Sequence, residues 1–330
     1  MIRAFFVSVR VLTITYIRCL IFEMNTSQIL DLLTTNREYL QRNSDFALND
    51  LQHLQQEYAV HPAEEVQLSL GLNSSLAEIH FHSQYQKAIQ NSLDIIEHFK
   101  ESIHIALLER HYWVVGHCYA HLGEHTQAEY FLLRALKMLE DIFPIPHAQK
   151  TNVLYSLSIN NHMRRGDEAL SIAYMQQILE MPETEKVPVR KAGCLSGMGT
   201  IYMMNEKYEK ALKYYDPALL IYEEDYDLPN MAGCYSNIGA CYLKLQNLQQ
   251  AENFLNKALE LRIKAGTPEH LAISYFNLAE FYKETKQLPH AHDTILKSRE
   301  ILVRVNNQPA LKQAEELLRE INELMSEISF

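Results

Sequence analysis

Glycine and proline are scarce in this chain, with 10 of each among 330 residues. Turn-rich β proteins use both residues often, whereas helices exclude them from their interiors. Most of the glycines and prolines stand between or at the ends of apolar-periodic segments. With 47% hydrophobic residues available for a core, this distribution favours an all-α fold.

Positive charge is also in short supply. The chain has 30 Lys and Arg against 41 Asp and Glu, a formal net charge of −11. Non-specific binding to nucleic acid requires a basic surface that displaces counterions from phosphates. The balance therefore argues against a nucleic-acid partner, and it favours a basic peptide or a basic protein surface over an anionic one.

Cysteines are too few, and too scattered, for a disulfide framework. The five are Cys19, Cys118, Cys194, Cys234 and Cys241, and they include no C-x-x-C pair. An odd number on predicted helical segments is typical of reduced thiols. We therefore expect a cytoplasmic protein.

Long apolar runs are absent, even from the most hydrophobic part of the chain, residues 1–23. Arg3, Arg10 and Arg18 interrupt that segment, and its longest uncharged run has seven residues. A membrane-spanning helix needs about 20 mostly apolar residues. We expect residues 1–23 to form an extension with little structural role, with a membrane anchor as the less favoured alternative.

Catalytic motifs are missing as well. Gly197-Met198-Gly199 lacks the third glycine and the preceding strand of a nucleotide-binding loop, and neither G-x-S-x-G nor H-E-x-x-H occurs. The carboxylates are scattered at helical spacing, as on a solvated surface. The sequence thus predicts neither an enzyme nor a bound cofactor.

Three histidines stand at a helical spacing that could suit a metal site. His117, His121 and His125 are four residues apart, and two histidines one turn apart can bind zinc. However, His125 lies beyond Gly123, where the helix should have ended, and no third ligand is evident. We expect polar groove or surface histidines and no metal.

What the chain does contain is a repeat. In the segment 234–261, Gly239 and Tyr242 lie on a first amphipathic helix, and Ala251 and Ala258 lie on a second. We expect the small residues Gly239 and Ala251 to let the two helices approach closely. Small and aromatic residues recur at these offsets 40 residues earlier and 40 residues later. The alanine of the second helix recurs about seven times, at Ala47, Ala88, Ala128, Ala169, Ala211, Ala251 and Ala291. Such a period predicts a solenoid, because one helical pair cannot bury its apolar face alone.

These residues resemble the tetratricopeptide repeat superfamily. Its pattern places a large residue, Leu-Gly and Tyr on the first helix and Ala, an aromatic residue or Leu, and Ala on the second. Here the matching residues are Tyr235, Ile238, Gly239, Tyr242, Ala251, Leu255 and Ala258. A period of 40 residues in place of 34 is similar to the long repeats of kinesin light chains and bacterial signalling proteins. The resemblance implies a right-handed superhelical solenoid of about seven helix-turn-helix repeats.

The predicted array spans residues 24–305, and residues 306–330 form one further helix. Its apolar residues are spaced 3, 4, 3, 4, 3, as in a coiled coil: Leu311, Ala314, Leu318, Ile321, Met325 and Ile328. We favour a helix that caps the last repeat. The alternative is a homodimer seam, or a link to a separate signalling domain.

The resemblance also implies a binding groove lined by the first helices, with an Asn before the Leu-Gly pair that holds the ligand backbone. Asn237 and Asn277 fill that position, although Gly197 and Val114 replace it elsewhere. By register, the groove residues are Trp113, His117, Ser236, Asn237, Lys244, Asn277, Glu280 and Lys283. The alternatives are that the two asparagines only bond to neighbouring helices, and that Trp113 only packs in the core.

The function implied is a non-catalytic scaffold that binds a peptide or partner segment in the groove. The alternative is a regulatory module similar to Rap-type peptide-responsive regulators, or to the input repeats of cyclases, diguanylate cyclases and histidine kinases.

Overall fold

The computed structural model describes residues 25–41, 45–58, 61–82, 84–144, 146–265, 268–305 and 307–328. Within these ranges every regular element is a helix. Residues 1–23, which we expected to be an extension, lie outside them. The chain forms two compact units, residues 1–153 and 154–330, and the boundary falls inside the seventh helix.

In the described part of the first unit there are six helices and the start of a seventh. Their bounds are α1 Thr26–Gln41, α2 Asp45–Tyr58, α3 Glu64–His82, α4 Tyr85–His98, α5 Ile105–His121, α6 His125–Glu140 and α7 His147–Arg165. Helices α1, α3 and α5 are the first members of successive pairs, and each packs against the next. A continuous core runs through α3, α4 and α5, around Leu68, Leu72, Ala88 and Val115.

The second unit begins within α7 and continues the same arrangement. Its helices are α8 Glu168–Leu179, α9 Pro182–Glu185, α10 Pro188–Met204, α11 Tyr208–Glu224, α12 Leu228–Lys244, α13 Leu248–Ala265, α14 Pro268–Glu284, α15 Leu288–Arg304 and α16 Gln308–Ile328. Each second helix contacts the first helix of the following pair, as α13 contacts α14. The four-residue helix α9 begins at Pro182, and α10 begins at Pro188, because proline suits the first turn of a helix.

Small residues bring the helices of a pair together, as the sequence predicted. A Cβ atom placed on Gly239 would lie 2.8 Å from Cγ of Leu255 and 3.2 Å from the carbonyl oxygen of Ala251. A Cβ atom placed on Gly116 would likewise lie 2.7 Å from Cγ of Leu132. Glycine at this position therefore allows α12 to approach α13, and α5 to approach α6, more closely than a side chain would permit.

From the α5–α6 pair onward, each pair turns through a residue with positive φ, which ends the first helix. Gly123 has φ of +78°, and the equivalent positions in later pairs are Glu206, Gln246 and Lys286, with φ near +60°. The next residue then donates its N–H to the carbonyl of the repeat tyrosine, as Asn247 does to Tyr242 at 2.9 Å. This is the bonding of a Schellman cap, which satisfies a carbonyl that the helix leaves unpaired.

The last helix, α16, caps the array. Ala314, Leu317 and Ile321 are almost fully buried, and they pack against Ile295 and Leu302 of α15. The apolar stripe that could have formed a dimer seam is therefore used within the chain. This confirms the capping helix.

Candidate functional site

The two asparagines singled out by the sequence lie at equivalent positions of neighbouring first helices. Asn237 is on α12 and Asn277 is on α14, and these helices contact each other directly. Both side chains are half-buried. Within the residues that the structure describes, neither carboxamide forms a hydrogen bond, so neither is bonded to a neighbouring helix.

Close packing explains why the asparagine series does not continue. A Cβ atom on Gly197 would lie 2.7 Å from Cε of Met175 and 3.0 Å from the ring of Tyr155. Those side chains occupy the space that an asparagine would need. Val114, at the same position of α5, is completely buried in the core of the first unit.

Charged groups lie beside the asparagines. Lys244 follows Asn237 by two turns of α12, and Glu280 follows Asn277 by one turn of α14. Burial raises the pKa of Glu280, and the nearby Lys244 and Lys283 act in the opposite direction. The Nζ atom of Lys283 lies 2.8 Å from Oε2 of Glu320 on α16. The structure thus brings Lys244, Glu280 and Lys283 into one neighbourhood, and adds Glu320, which the repeat register could not indicate.

Ser236 differs from the prediction. It is buried, with only 6% of its surface exposed, because α12 packs between α10 and α14. A ligand could not reach its hydroxyl, and we leave Ser236 out of the candidate surface.

In the first unit, aromatic side chains form a stacked series along one face of α5. Trp113 stacks on His117 with ring centres 5.3 Å apart, and His117 contacts His121 at 4.6 Å. Tyr85 of α4 stacks on His121 at 4.9 Å, with the two rings nearly parallel. Burial lowers the pKa of His121 and so favours its neutral form. Trp113 and His117, which the register placed in the groove, are half-buried. Tyr85 and His121 were not on that list of groove residues.

A family model matches part of the repeat array. The model described as "Tetratricopeptide repeat" matches residues 192–264 and 230–302, which cover α10 to α15 apart from their outermost residues. Residues 192–302 therefore consist of tetratricopeptide repeats. No curated protein matches the chain in sequence.

Solved structures of tetratricopeptide repeat proteins are similar to this chain along most of its length. A Rap protein in complex with competence and sporulation factor aligns with a TM-score of 0.70 at 14% identity, covering 92% of this chain and 87% of that one. The quorum sensor NprR of B. thuringiensis, in its apo form, aligns with a TM-score of 0.61 at 16% identity, covering 94% and 92%. Cut9, in the APC/C hetero-tetramer Cut9–Hcn1, aligns with a TM-score of 0.59 at 17% identity, covering 96% of this chain and 52% of that one.

At these identities the likeness shows the fold, an all-α repeat solenoid. The repeat model over residues 192–302 agrees with this fold.

Among the described residues, no group of three His, Cys, Asp or Glu side chains could hold a metal ion. The same residues include no helix both long and apolar enough to cross a membrane.

Proposed function

We propose that this chain is a non-catalytic scaffold that binds a protein or peptide segment along the first helices of its repeats. The observation that carries the proposal is the pair of unused carboxamides on Asn237 and Asn277. A carboxamide offers both a donor and an acceptor, which is what the backbone of an extended peptide requires. Two of them on adjacent parallel positions can hold a peptide without reading its sequence.

The neighbouring charges define the kind of segment that fits. Lys244 is exposed and forms no ion pair within the described part of the chain, so it is available to an acidic side chain. Glu280 is half-buried and can accept a hydrogen bond from the ligand in either protonation state. A partner with both charged and apolar residues suits this surface, and nucleic acid does not, given the net charge of −11.

The test uses a displayed library of random peptides selected against the full chain. The affinity of each selected peptide is then measured for the wild type and for the double variant Asn237→Ala/Asn277→Ala. Loss of two hydrogen bonds should weaken binding by roughly tenfold or more. The matched control is Asn253→Ala/Asn256→Ala, which removes two exposed carboxamides from α13. Equal affinity for all three proteins would contradict the proposal.

A second candidate is a regulatory module that changes conformation when a peptide binds. It is favoured by the nearly complete coverage, in both directions, of the Rap protein that was solved with competence and sporulation factor. Solution scattering separates the two candidates. A scaffold keeps its radius of gyration when saturated with a selected peptide, whereas a peptide-responsive regulator changes it.

The proposal includes a cytoplasmic location. Cys118, Cys194, Cys234 and Cys241 are free and buried, as expected in a compartment that keeps thiols reduced. Fractionation of the source cells, followed by detection of the chain, tests this point.

A further inference from the structure

The last helix of the array has the position of a first helix. Helices α10, α12, α14 and α16 begin at residues 188, 228, 268 and 308, at equal intervals of 40. Helix α16 packs mainly on α15 and also contacts α14, as the first helix of a further pair would. The helix that caps the array is therefore also the last wall of the groove that the first helices line.

Because the start of α16 is now known, the 40-residue interval can be extended to its side chains. Glu320 lies 40 residues after Glu280, which is a predicted groove residue of α14. Its side chain is 55% exposed. The position equivalent to Asn277 is Leu317, which is 4% exposed and packs in the core. Helix α16 thus continues the groove with a carboxylate and not with the asparagine.

That carboxylate is bonded to the groove lysine of the preceding first helix. Nζ of Lys283 lies 2.8 Å from Oε2 of Glu320, and the Lys283 side chain is 19% exposed. Lys244 on α12 differs, because it is exposed and forms no ion pair within the described part of the chain. One of the two groove lysines is therefore open to a ligand, whereas the other already has a carboxylate from the chain itself.

The contact between Lys283 and Glu320 can be broken without removing the cap. Apolar side chains hold α16 against α15 in the core. On another side of α16, Oε1 of Glu315 forms a separate ion pair with Nε of Arg299, at 3.4 Å. An ion pair that is partly exposed to water contributes little to stability. A carboxylate from outside can therefore replace that of Glu320, since Lys283 exchanges one such partner for another.

We propose that Lys283 binds a carboxylate of the ligand, and that Glu320 occupies this position as an internal competitor until the ligand arrives. The proposal deepens the proposed function, on which it rests for the identity of the ligand as a peptide or protein segment. A segment with an Asp or Glu at the matching place displaces Glu320, whereas a segment without one gains nothing at Lys283. The capping helix thus takes part in selecting the ligand.

The test uses a displayed library of peptides in which every member contains one glutamate, selected against the full chain. Each selected peptide is also made with glutamine in place of the glutamate, and the peptides that bind more tightly with glutamate are taken for measurement. Glu320→Gln should strengthen the binding of these peptides about two- to fivefold, the range that a partly exposed ion pair supports. Their glutamine counterparts should bind wild type and variant equally.

Two further variants separate direct competition from a general change of charge. Glu315→Gln removes the same charge from the same helix, at the contact with Arg299, and should leave the affinities at their wild-type values. Lys283→Gln should abolish the preference for glutamate, and adding Glu320→Gln to it should then have no further effect. Circular dichroism establishes that each variant is folded.

The outcomes distinguish a failure of this inference from a failure of the proposed function. Equal affinities in wild type and Glu320→Gln, or a gain that persists in the Lys283→Gln background, would overturn the role of Glu320. So would a selection in which no peptide prefers glutamate. The proposed function would stand in each of these cases if binding still depended on Asn237 and Asn277, and loss of that dependence would contradict the groove itself.

Discussion

At the scale of the residue, a few side chains decide how the helices fit, and the sequence identified several of them. Gly239 and Ala251 were predicted to permit close approach, and the structure confirms it. The sequence could not reveal the aromatic partners of the repeat tyrosines. Tyr119, Tyr202 and Tyr242 each stack on an aromatic residue twelve positions later, with ring centres 5.1–5.7 Å apart, as Tyr242 does on Phe254. Both residues were visible in the sequence, but only packing shows that they pair.

The first prediction compares two glycines of α12. Gly239→Ala should destabilise the protein by about 1–2 kcal/mol, because the new methyl group would overlap Leu255 by more than the gain in helix propensity offsets. Gly233→Ala is the control, since its Cβ would meet only Nη2 of Arg262, at 3.5 Å. It should be neutral, or stabilising by up to about 1 kcal/mol. Urea midpoints measure both, and equal shifts for the two variants would contradict the close-approach account.

The second prediction concerns the turn residues with positive φ. Gln246 has φ of +60°, a conformation that costs a residue with a Cβ atom about 1 kcal/mol. Gln246→Gly should therefore stabilise the protein by about 0.5–1 kcal/mol. Gly123→Ala should do the reverse by a similar amount, although a Cβ there would meet nothing within 4 Å. Opposite shifts in melting temperature are expected, and shifts of the same sign would refute the explanation.

At the scale of the element, burial of polar groups between helices decides the pH dependence of stability. Glu109 and His111 are neighbours on α5, 1% and 0% exposed. His111 bonds through Nε2 to the carbonyl oxygen of Leu68 at 3.0 Å, and burial lowers its pKa to about 4. Its contribution to stability is therefore lost as pH falls from about 6.5 to 4. The sequence does not indicate that Glu109 and His111 are buried, because charged and titratable helix residues are normally expected on the surface.

The third prediction follows from Glu109. Its pKa is about 8 in the folded chain against 4.5 in the unfolded chain, so the folded state holds the proton more tightly. Stability should fall as pH rises from about 4.5 through 8, by up to about 5 kcal/mol. Glu109→Gln should remove this loss and melt at a higher temperature than the wild type at pH 9, with little difference at pH 5. The exposed Glu101→Gln is the control, and a similar gain there would contradict the assignment.

At the scale of the whole molecule, the 40-residue period was sufficient to predict the all-α repeat solenoid, and the spacing of apolar residues in 306–330 predicted its final helix. It was not sufficient to predict the division into two compact units, which falls where the fourth repeat lacks the glycine and tyrosine of the pattern. Leu157 and Asn160 stand in their places, and both are buried. For the candidate site, Lys244 and Lys283 lie close enough to Glu280 to act on its pKa, whereas Ser236 is buried. Register could not indicate that burial, because it gives the direction of a side chain and not the depth to which neighbouring helices bury it.

The fourth prediction concerns the capping helix. Removal of residues 306–330 would expose Ile295 and Leu302, which α16 now covers. Terminal repeats without a polar outer face associate, and we expect the shortened chain to form larger species in sedimentation while the full chain remains a monomer. A full chain that sediments as a dimer, and a shortened one that does not, would instead favour the dimer seam.

The central claim is that a ligand lies along the first helices of the repeats. Amide hydrogen exchange of the full chain, with and without a selected peptide at saturation, tests it most directly. The account predicts added protection in α12 and α14, around Asn237 and Asn277, with no change in α13 and α15. Protection confined to α13 and α15, or the same protection in the Asn237→Ala/Asn277→Ala variant, would contradict it.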